Sequence, residues 1–296
     1  MNSVLNFGSI NIDHVYRVDH FVRPGETLNC RDYHRFAGGK GLNQSIALAQ
    51  ADASVVHAGK LGAGDGWLKT LMAGKGVDTR FVETVDGPSG HAVIQVNSAG
   101  ENAIVIVGGA NRLIDENDVQ RILAGFGPHD YLLVQNEVSA VPQILLSAKA
   151  QGMTVVFNPA PMTLEVPDYP LDRVDILIVN TVEAHSLTGE SEPERICEIF
   201  RRRYPHAAMV LTLGSRGAIY CNPQMQIHQP AEQVNAVDTT GAGDTFIGFF
   251  LAELIRSADP NSALAFASRA AALCVTRQGA ADSIPHRTEI EMPITE

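Results

Sequence analysis

The sequence predicts an α/β fold with a doubly wound, mostly parallel central sheet, and three observations lead to that expectation. Strand-like and helix-like runs alternate along most of the chain, as βαβ units require. The runs VVF, ILIV and MVLTL lack polar alternation, as expected of parallel strands buried on both faces. Segments near residues 13–36 and 89–107 break the pattern. They have one polar face and are expected to form a small separate sheet, most simply a lid.

In chain order, Val4 to Ile10 reads as a strand and Gly39 to Gln50 as a helix opened by glycines. Ser54 to Ala58 is strand-like, Gly66 to Gly74 helical, and a polar break follows. HAVIQVN from His91 and NAIVIV from Asn102, with Ser-Ala-Gly between them, read as a hairpin. Helix and strand then alternate through Asp115–Phe126, Tyr131–Val134, Val141–Gln151, Thr154–Phe157, Ile176–Val179, Glu192–Tyr204 and Met209–Leu213. Two helical stretches close the chain, Gly243 to Arg256 and Ser262 to Thr276. No repeat or low-complexity linker divides it, so one domain over 1–296 with a lid is expected.

Bulk properties exclude several functions. The chain has 296 residues, 45% hydrophobic and 19% charged, which suits a soluble globular protein with a sizeable core. Its formal net charge is −11 and it has no long Lys/Arg run, which disfavours nucleic acid and anionic membranes as partners. Any phosphate ligand must then be held by helix ends, backbone amides or a metal ion. Cys30, Cys197, Cys221 and Cys274 are widely spaced, so reduced thiols and a cytoplasmic location are expected. The N-terminus lacks a basic n-region and a long apolar h-region, so no signal peptide is expected. Phe246 to Ile255 is the most apolar run, contains Glu253, and is about half a membrane span.

The common nucleotide and hydrolase motifs fail. No GxxxxGK[ST] occurs; Lys40 follows two glycines but precedes Gly41. GxGxxG meets Trp67 in one candidate and Phe246 in the other, and HExxH and GxSxG are absent. The tetrapeptide GAGD occurs twice, at 62–65 and 241–244. A glycine-rich helix start is a natural anion site, but the two contexts differ. GWLKTLMAGKG after Asp65 reads as a surface helix. TFIGFFLAELI after Asp244 is apolar nearly all round, hence buried, and points its free N–H groups at an enclosed site. The crowded polar run VDTTGAGDTF favours Asp244 as the functional copy.

VDTTGAGDTFIG resembles the C-terminal signature of the phosphofructokinase-B, or ribokinase-like, family of sugar kinases, and FAGGKGLNQSIALAQ resembles its N-terminal signature. GSINIDH, PGET, GENAIVIVGGAN, FNPAP, VNTVEA, LTLGSRG and VTRQGAADSIP extend the resemblance over almost the whole chain. It implies a three-layer ribokinase-like fold, and the lysine of GGKGLN is similar to that of the ribose-phosphorylating branch. The implied reaction moves the γ-phosphoryl of ATP to the 5-hydroxyl of D-ribose. Related kinases of deoxyribose, fructose, tagatose or a nucleoside, and a non-catalytic sugar or nucleotide sensor, are the alternatives.

The resemblance also implies roles. Asp244 would be the general base, and Gly241, Ala242 and Gly243 the anion hole. Asn11, Asp13, Gly39, Lys40, Asn43 and Glu137 would hold the sugar. Asn180, Thr212, Gly214, Ser215, Gly217, Gly243 and Ser268 would hold ATP; Ser268 stands where the family often has histidine. Glu183 would help hold Mg2+ through water. Read alone, Asn180-x-x-Glu183 is a capping-box pattern. Asp238, Ser283 and backbone oxygens of Thr240, Cys274, Arg277 and Gly279 would bind an activating monovalent cation, K+. Unpaired lid edges imply a homodimer formed through the lid.

Overall fold

The computed structural model describes residues 2–291, arranged as a sheet with helices on both faces and a second, smaller sheet. The parallel part of the main sheet is built from β1 (Val4–Phe7), β4 (Val55–Gly62), β5 (Asp78–Val85), β8 (Tyr131–Gln135), β9 (Thr154–Asn158), β10 (Ile176–Asn180) and β11 (Ala208–Thr212). Antiparallel β12 (Ala218–Cys221) and β13 (Gln226–Gln229) complete the order β13-β12-β11-β10-β9-β8-β1-β4-β5. The small sheet has the order β3-β2-β6-β7, from β2 (Asn11–Arg17), β3 (Asp32–Gly38), β6 (Gly90–Val96) and β7 (Asn102–Val107). Its central β2–β6 pair is parallel; the outer pairs, including the expected hairpin, are antiparallel.

Alternation along each strand builds the two cores. Val4, Leu133, Val156, Ile178 and Val210 point to one face. They pack with α1 (Lys40–Gln50), α2 (Gly66–Gly74), α7 (Ala242–Ser257) and α8 (Pro260–Val275). Leu5, Leu132, Val155, Leu177 and Met209 point to the other, under α3 (Glu116–Leu123), α4 (Val141–Ala150), α5 (Thr181–Thr188) and α6 (Pro193–Arg203). Both faces are therefore apolar, which is why these strands read as unbroken hydrophobic runs. Short α9 (Arg287–Glu291) closes against α8 and the end of α7. Buried Glu253 in α7 is ion-paired with Arg256 and with Arg287 at 3.0 Å, which makes a charge tolerable there.

Several expectations need correction. The first strand ends at Phe7, not Ile10, because residues 8–10 carry the chain out of the main sheet into β2. β4 runs on to Gly62, past Ala58. The polar break after Gly74 contains β5, an edge strand of mixed burial whose pattern is too irregular to announce itself. α5 is a further helix, started by Asn180 and Glu183. Among the described residues, no helix is long and apolar enough to cross a membrane. The cysteines are all free, with Cys197, Cys221 and Cys274 buried and Cys30 exposed.

Candidate active site

The main sheet presents polar residues at the C-terminal ends of its parallel strands, where open α/β sheets bind ligands. β8, β9, β10 and β11 end on Gln135, Asn158, Asn180 and Thr212. Register sets Gln135 beside Asn158 and Asn180 beside Thr212. Above this edge α1 and α7 start side by side.

Helix α7 begins at Gly241, whose φ of 76° is left-handed and suits glycine. A Cβ built on Gly243 would meet nothing within 4 Å, so its backbone is open to a ligand. Asp244 follows in the first turn and is buried. Its Oδ2 accepts from Asn43 Nδ2 at 3.0 Å and its Oδ1 from Gln44 Nε2 at 2.9 Å, both from α1. Lys40, at the head of the same helix, has its pKa raised by Asp244, against the opposing effect of burial, with Glu137 and Glu183 adding to the rise.

The residues expected on the sugar side lie together. Glu137, just past β8, accepts through Oε2 from the Lys40 amide at 2.9 Å and from the Ser9 hydroxyl. It thereby also anchors the start of α1. Asp13 on β2 is half-buried; that burial, with the Glu137 charge nearby, pushes its carboxyl up to about 6. Asn11 Oδ1 accepts from Asn111 Nδ2 at 2.7 Å, which leaves the Asn11 amino group for a ligand. Asn43 Oδ1 is buried without a partner, an orphaned acceptor such as a sugar hydroxyl would satisfy. Gly39 sits at the α1 N-cap. Next to these residues, Ile12 is part of the core. Asn136 is tied to Pro161 at 2.8 Å and to Tyr169 at 3.1 Å.

On the other side of Asp244 lies a cavity of about 330 Å3. Thr212, Gly214, Ser215, Gly217, Gly243 and Ser268 all line it, with Phe246 and Val275 among its apolar walls. Ser268 Oγ is buried without a partner, so the cavity offers at least one unmet polar group to a ligand. Asn180 is not among the lining residues. Its Oδ1 accepts from the Val182 and Glu183 amides at 2.9 Å, and Glu183 Oε2 accepts from the Asn180 amide at 2.9 Å. The capping-box geometry therefore exists. Burial raises the Glu183 carboxyl, opposed by the Asn180 hydrogen bonds and Lys40, with Asp244 adding to the rise.

Behind the glycine turn, Asp238 Oδ1 accepts from the Thr240 amide at 2.9 Å and hydroxyl at 2.7 Å, and Oδ2 from the Gly279 amide at 3.0 Å. Burial alone would raise its pKa, but these bonds outweigh it and hold the carboxyl low. Ser283 Oγ is buried beside Cys274 Sγ at 3.1 Å, and the Cys274 carbonyl accepts from the Arg277 amide at 3.0 Å. These segments supply oxygen donors, the chemistry a hard cation takes. Among the described residues no group of three or more His, Cys, Asp or Glu could hold a metal by side chains alone.

Sequence reasoning missed a buried layer beneath Asp244, made of Asn6, Gln44, Ser45, His57, Gln135 and Asn158. One signal could have found part of it: each apolar strand from β8 to β11 stops on a polar residue. The first GAGD behaves differently. Asp65 precedes α2 without capping it, and its Oδ2 accepts from the Ser89 hydroxyl at 2.7 Å.

The profile of the pfkB family of carbohydrate kinases matches residues 1–287. A ribokinase of Haemophilus influenzae is 37% identical, covering 95% of this chain and 95% of that protein. A deoxyribokinase of Salmonella typhi is 32% identical, covering 94% of each. The structure of Arabidopsis thaliana ribokinase complexed with ribose and ATP superposes with a TM-score of 0.87 at 31% identity, over 98% of this chain and 97% of that one.

Proposed function

This chain belongs to the pfkB family of carbohydrate kinases, and from that premise we propose that it phosphorylates D-ribose at the 5-hydroxyl, with ATP as donor and Asp244 as general base. It is an ATP-dependent sugar kinase, a phosphotransferase acting on an alcohol. One observation carries the assignment of roles. A buried carboxylate in the first turn of an apolar helix shares the charge of Lys40 with Glu137, which acts in turn on Asp13, while the adjoining Gly243 lines a cavity of about 330 Å3.

The chemistry follows from that placement. The sugar hydroxyl gives its proton to Asp244 while its oxygen bonds to the γ-phosphorus. The bond from that phosphorus to the β,γ-bridging oxygen breaks, and ADP leaves with the electron pair. The amides of Gly241, Ala242 and Gly243 face the negative charge growing on the phosphoryl oxygens, and the helix end adds its positive dipole. Lys40 supplies a fixed positive charge beside the base. Asn11, Asp13, Gly39, Lys40, Asn43 and Glu137 orient the sugar; two carboxylates and two carboxamides suit paired hydroxyls. Asn180, Thr212, Gly214, Ser215, Gly217, Gly243 and Ser268 serve the nucleotide, Asn180 by holding Glu183.

Glu183 fits a magnesium held through water, since its carboxylate is already ordered by Asn180. Mg2+ bound there with the nucleotide would neutralise phosphate charge. Asp238, Ser283 and the carbonyls of Thr240, Cys274, Arg277 and Gly279 fit a monovalent cation such as K+, which would stiffen the glycine turn. The small sheet serves as a lid and, through exposed Tyr33, Phe36 and Ile104 to Val107 on its two edge strands, as a homodimer contact. Four free cysteines fit a reducing cytoplasm.

Deoxyribose is the second reading, supported by the 32% identical deoxyribokinase. An ATP-consumption screen with ribose, 2-deoxyribose, fructose, tagatose and nucleosides, with and without K+, decides between them. Ribose should give the highest kcat/KM, with K+ raising it. A flat response to ribose would remove it as substrate.

A further inference from the structure

Beneath Asp244 the polar layer forms one continuous hydrogen-bonded path, and its direction can be deduced from fixed backbone groups. Asn6 Nδ2 lies 2.9 Å from the Gly41 carbonyl, a group that only accepts, so the amino end of Asn6 must face it. Asn6 Oδ1 therefore accepts, and Gln135 must offer its amino group there, at 3.0 Å. The same Gln135 Nε2 lies 2.7 Å from Gln44, which must then present Oε1 to it. Gln44 is left with its amino group facing Asp244 Oδ1 at 2.9 Å.

A second backbone carbonyl gives the same answer. Asn158 Nδ2 donates to Ile178 O at 2.9 Å, so Asn158 Oδ1 faces Gln44 Nε2 at 3.2 Å as an acceptor. At the far end, His57 Nε2 faces the Gly8 carbonyl at 3.1 Å and must carry the proton, so Nδ1 accepts from Ser45 at 2.8 Å. Burial holds the His57 pKa down at about 4, so that end stays neutral. Flipping any amide in the path would set two acceptors against each other in a buried place, at a steep cost.

We propose that Gln44 is a positioning residue for Asp244, held with its amino group forward by Gln135 and Asn158 so that the base meets a donor it cannot turn away. This rests on the reading of Asp244 as the base. With Asn43 on the other oxygen, two amide donors fix the plane of the carboxylate before the sugar arrives. The charged groups acting on the same space are Lys40 from α1 and Glu183 from α5, with Asp13 and Glu137 on the sugar side. Along α7 and α8, Glu253 is engaged by Arg256 and Arg287, and Arg269 by Glu232.

The test is kcat, both KM values and the melting temperature, measured on full-length wild type, Gln44→Met, Gln135→Met and Asp244→Asn. Gln44→Met should lower kcat on the order of 10–100-fold with both KM values little changed, as loss of base alignment predicts. Gln135→Met touches neither base nor substrate and should lower kcat the same way by less. A purely structural role would lower the melting temperature and leave kcat of the folded protein in place. An unchanged kcat in folded Gln44→Met, with Asp244→Asn inactive, overturns the positioning role alone. An active Asp244→Asn overturns the base assignment itself. Should Gln44→Met not fold, Gln135→Met decides by the same split of kcat against KM.

Discussion

Two helices in this molecule open on the same four residues, and the two aspartates end in different company. Asp65 stands at the head of α2, a nine-residue helix that buries Leu68 and Met72, and its carboxylate meets the Ser89 hydroxyl. Asp244 stands in the first turn of α7, which is buried from Asp244 to Glu253, and it meets Asn43, Gln44 and the charge of Lys40. The tetrapeptide supplies a helix start and a carboxylate in both places. What sets the chemistry is the layer packed against it: a partly exposed edge next to the small sheet in one case, the meeting of α1 and α7 over the strand ends in the other.

The largest effect that could break this contrast is loss of the second carboxylate. Asp244→Asn should lower kcat by roughly 10²–10⁴-fold with the fold retained, as removal of a general base does. Steady-state kinetics beside a circular-dichroism spectrum checks it, and near-normal turnover would remove Asp244 from that role.

Asp13 sharpens the contrast, because it is a half-buried carboxylate next to another carboxylate rather than among donors. Its folded pKa of about 6 lies above the ordinary 3.8, so between those values the native state binds more protons than the unfolded state. The stability that Asp13 contributes to the unliganded protein should therefore fall as pH rises from about 4 to about 6. The difference is on the order of 2–3 kcal/mol, and it should vanish in Asp13→Asn. Urea denaturation at several pH values reads this directly. Equal pH dependence in wild type and variant would mean that Asp13 is not the group responsible. The same variant should raise the KM for sugar, so stability and function would move in opposite directions.

The smallest effect belongs to the first copy. Asp65→Asn should change turnover by no more than about twofold, in keeping with a partly exposed residue away from the chemistry. A loss comparable to that of Asp244→Asn would mean that the helix start, not its surroundings, confers the activity.

Much of this was legible along the chain. The apolar runs of β8, β9, β10 and β11, the exact span of α2 and the buried character of α7 follow from local pattern, because strand and helix periodicity are properties of short windows. β5 was not legible, since an edge strand of mixed burial lacks a clean period. The two sides of the site were readable as separate motifs: Asn11, Asp13 and Lys40 early in the chain, Asp238 to Asp244 late.

What the sequence determined by itself was the inventory: which runs become strands, which glycine turn opens a buried helix, and which family signatures stand in order. Only the tertiary structure decided that Gln44, Gln135 and Asn158, drawn from α1, β8 and β9, would meet beneath Asp244. Their meeting depends on strand order and register, and no local window states which strands lie side by side. The direction of that path depends on two backbone carbonyls, Gly41 and Ile178, whose positions exist only once the sheet and α1 have packed.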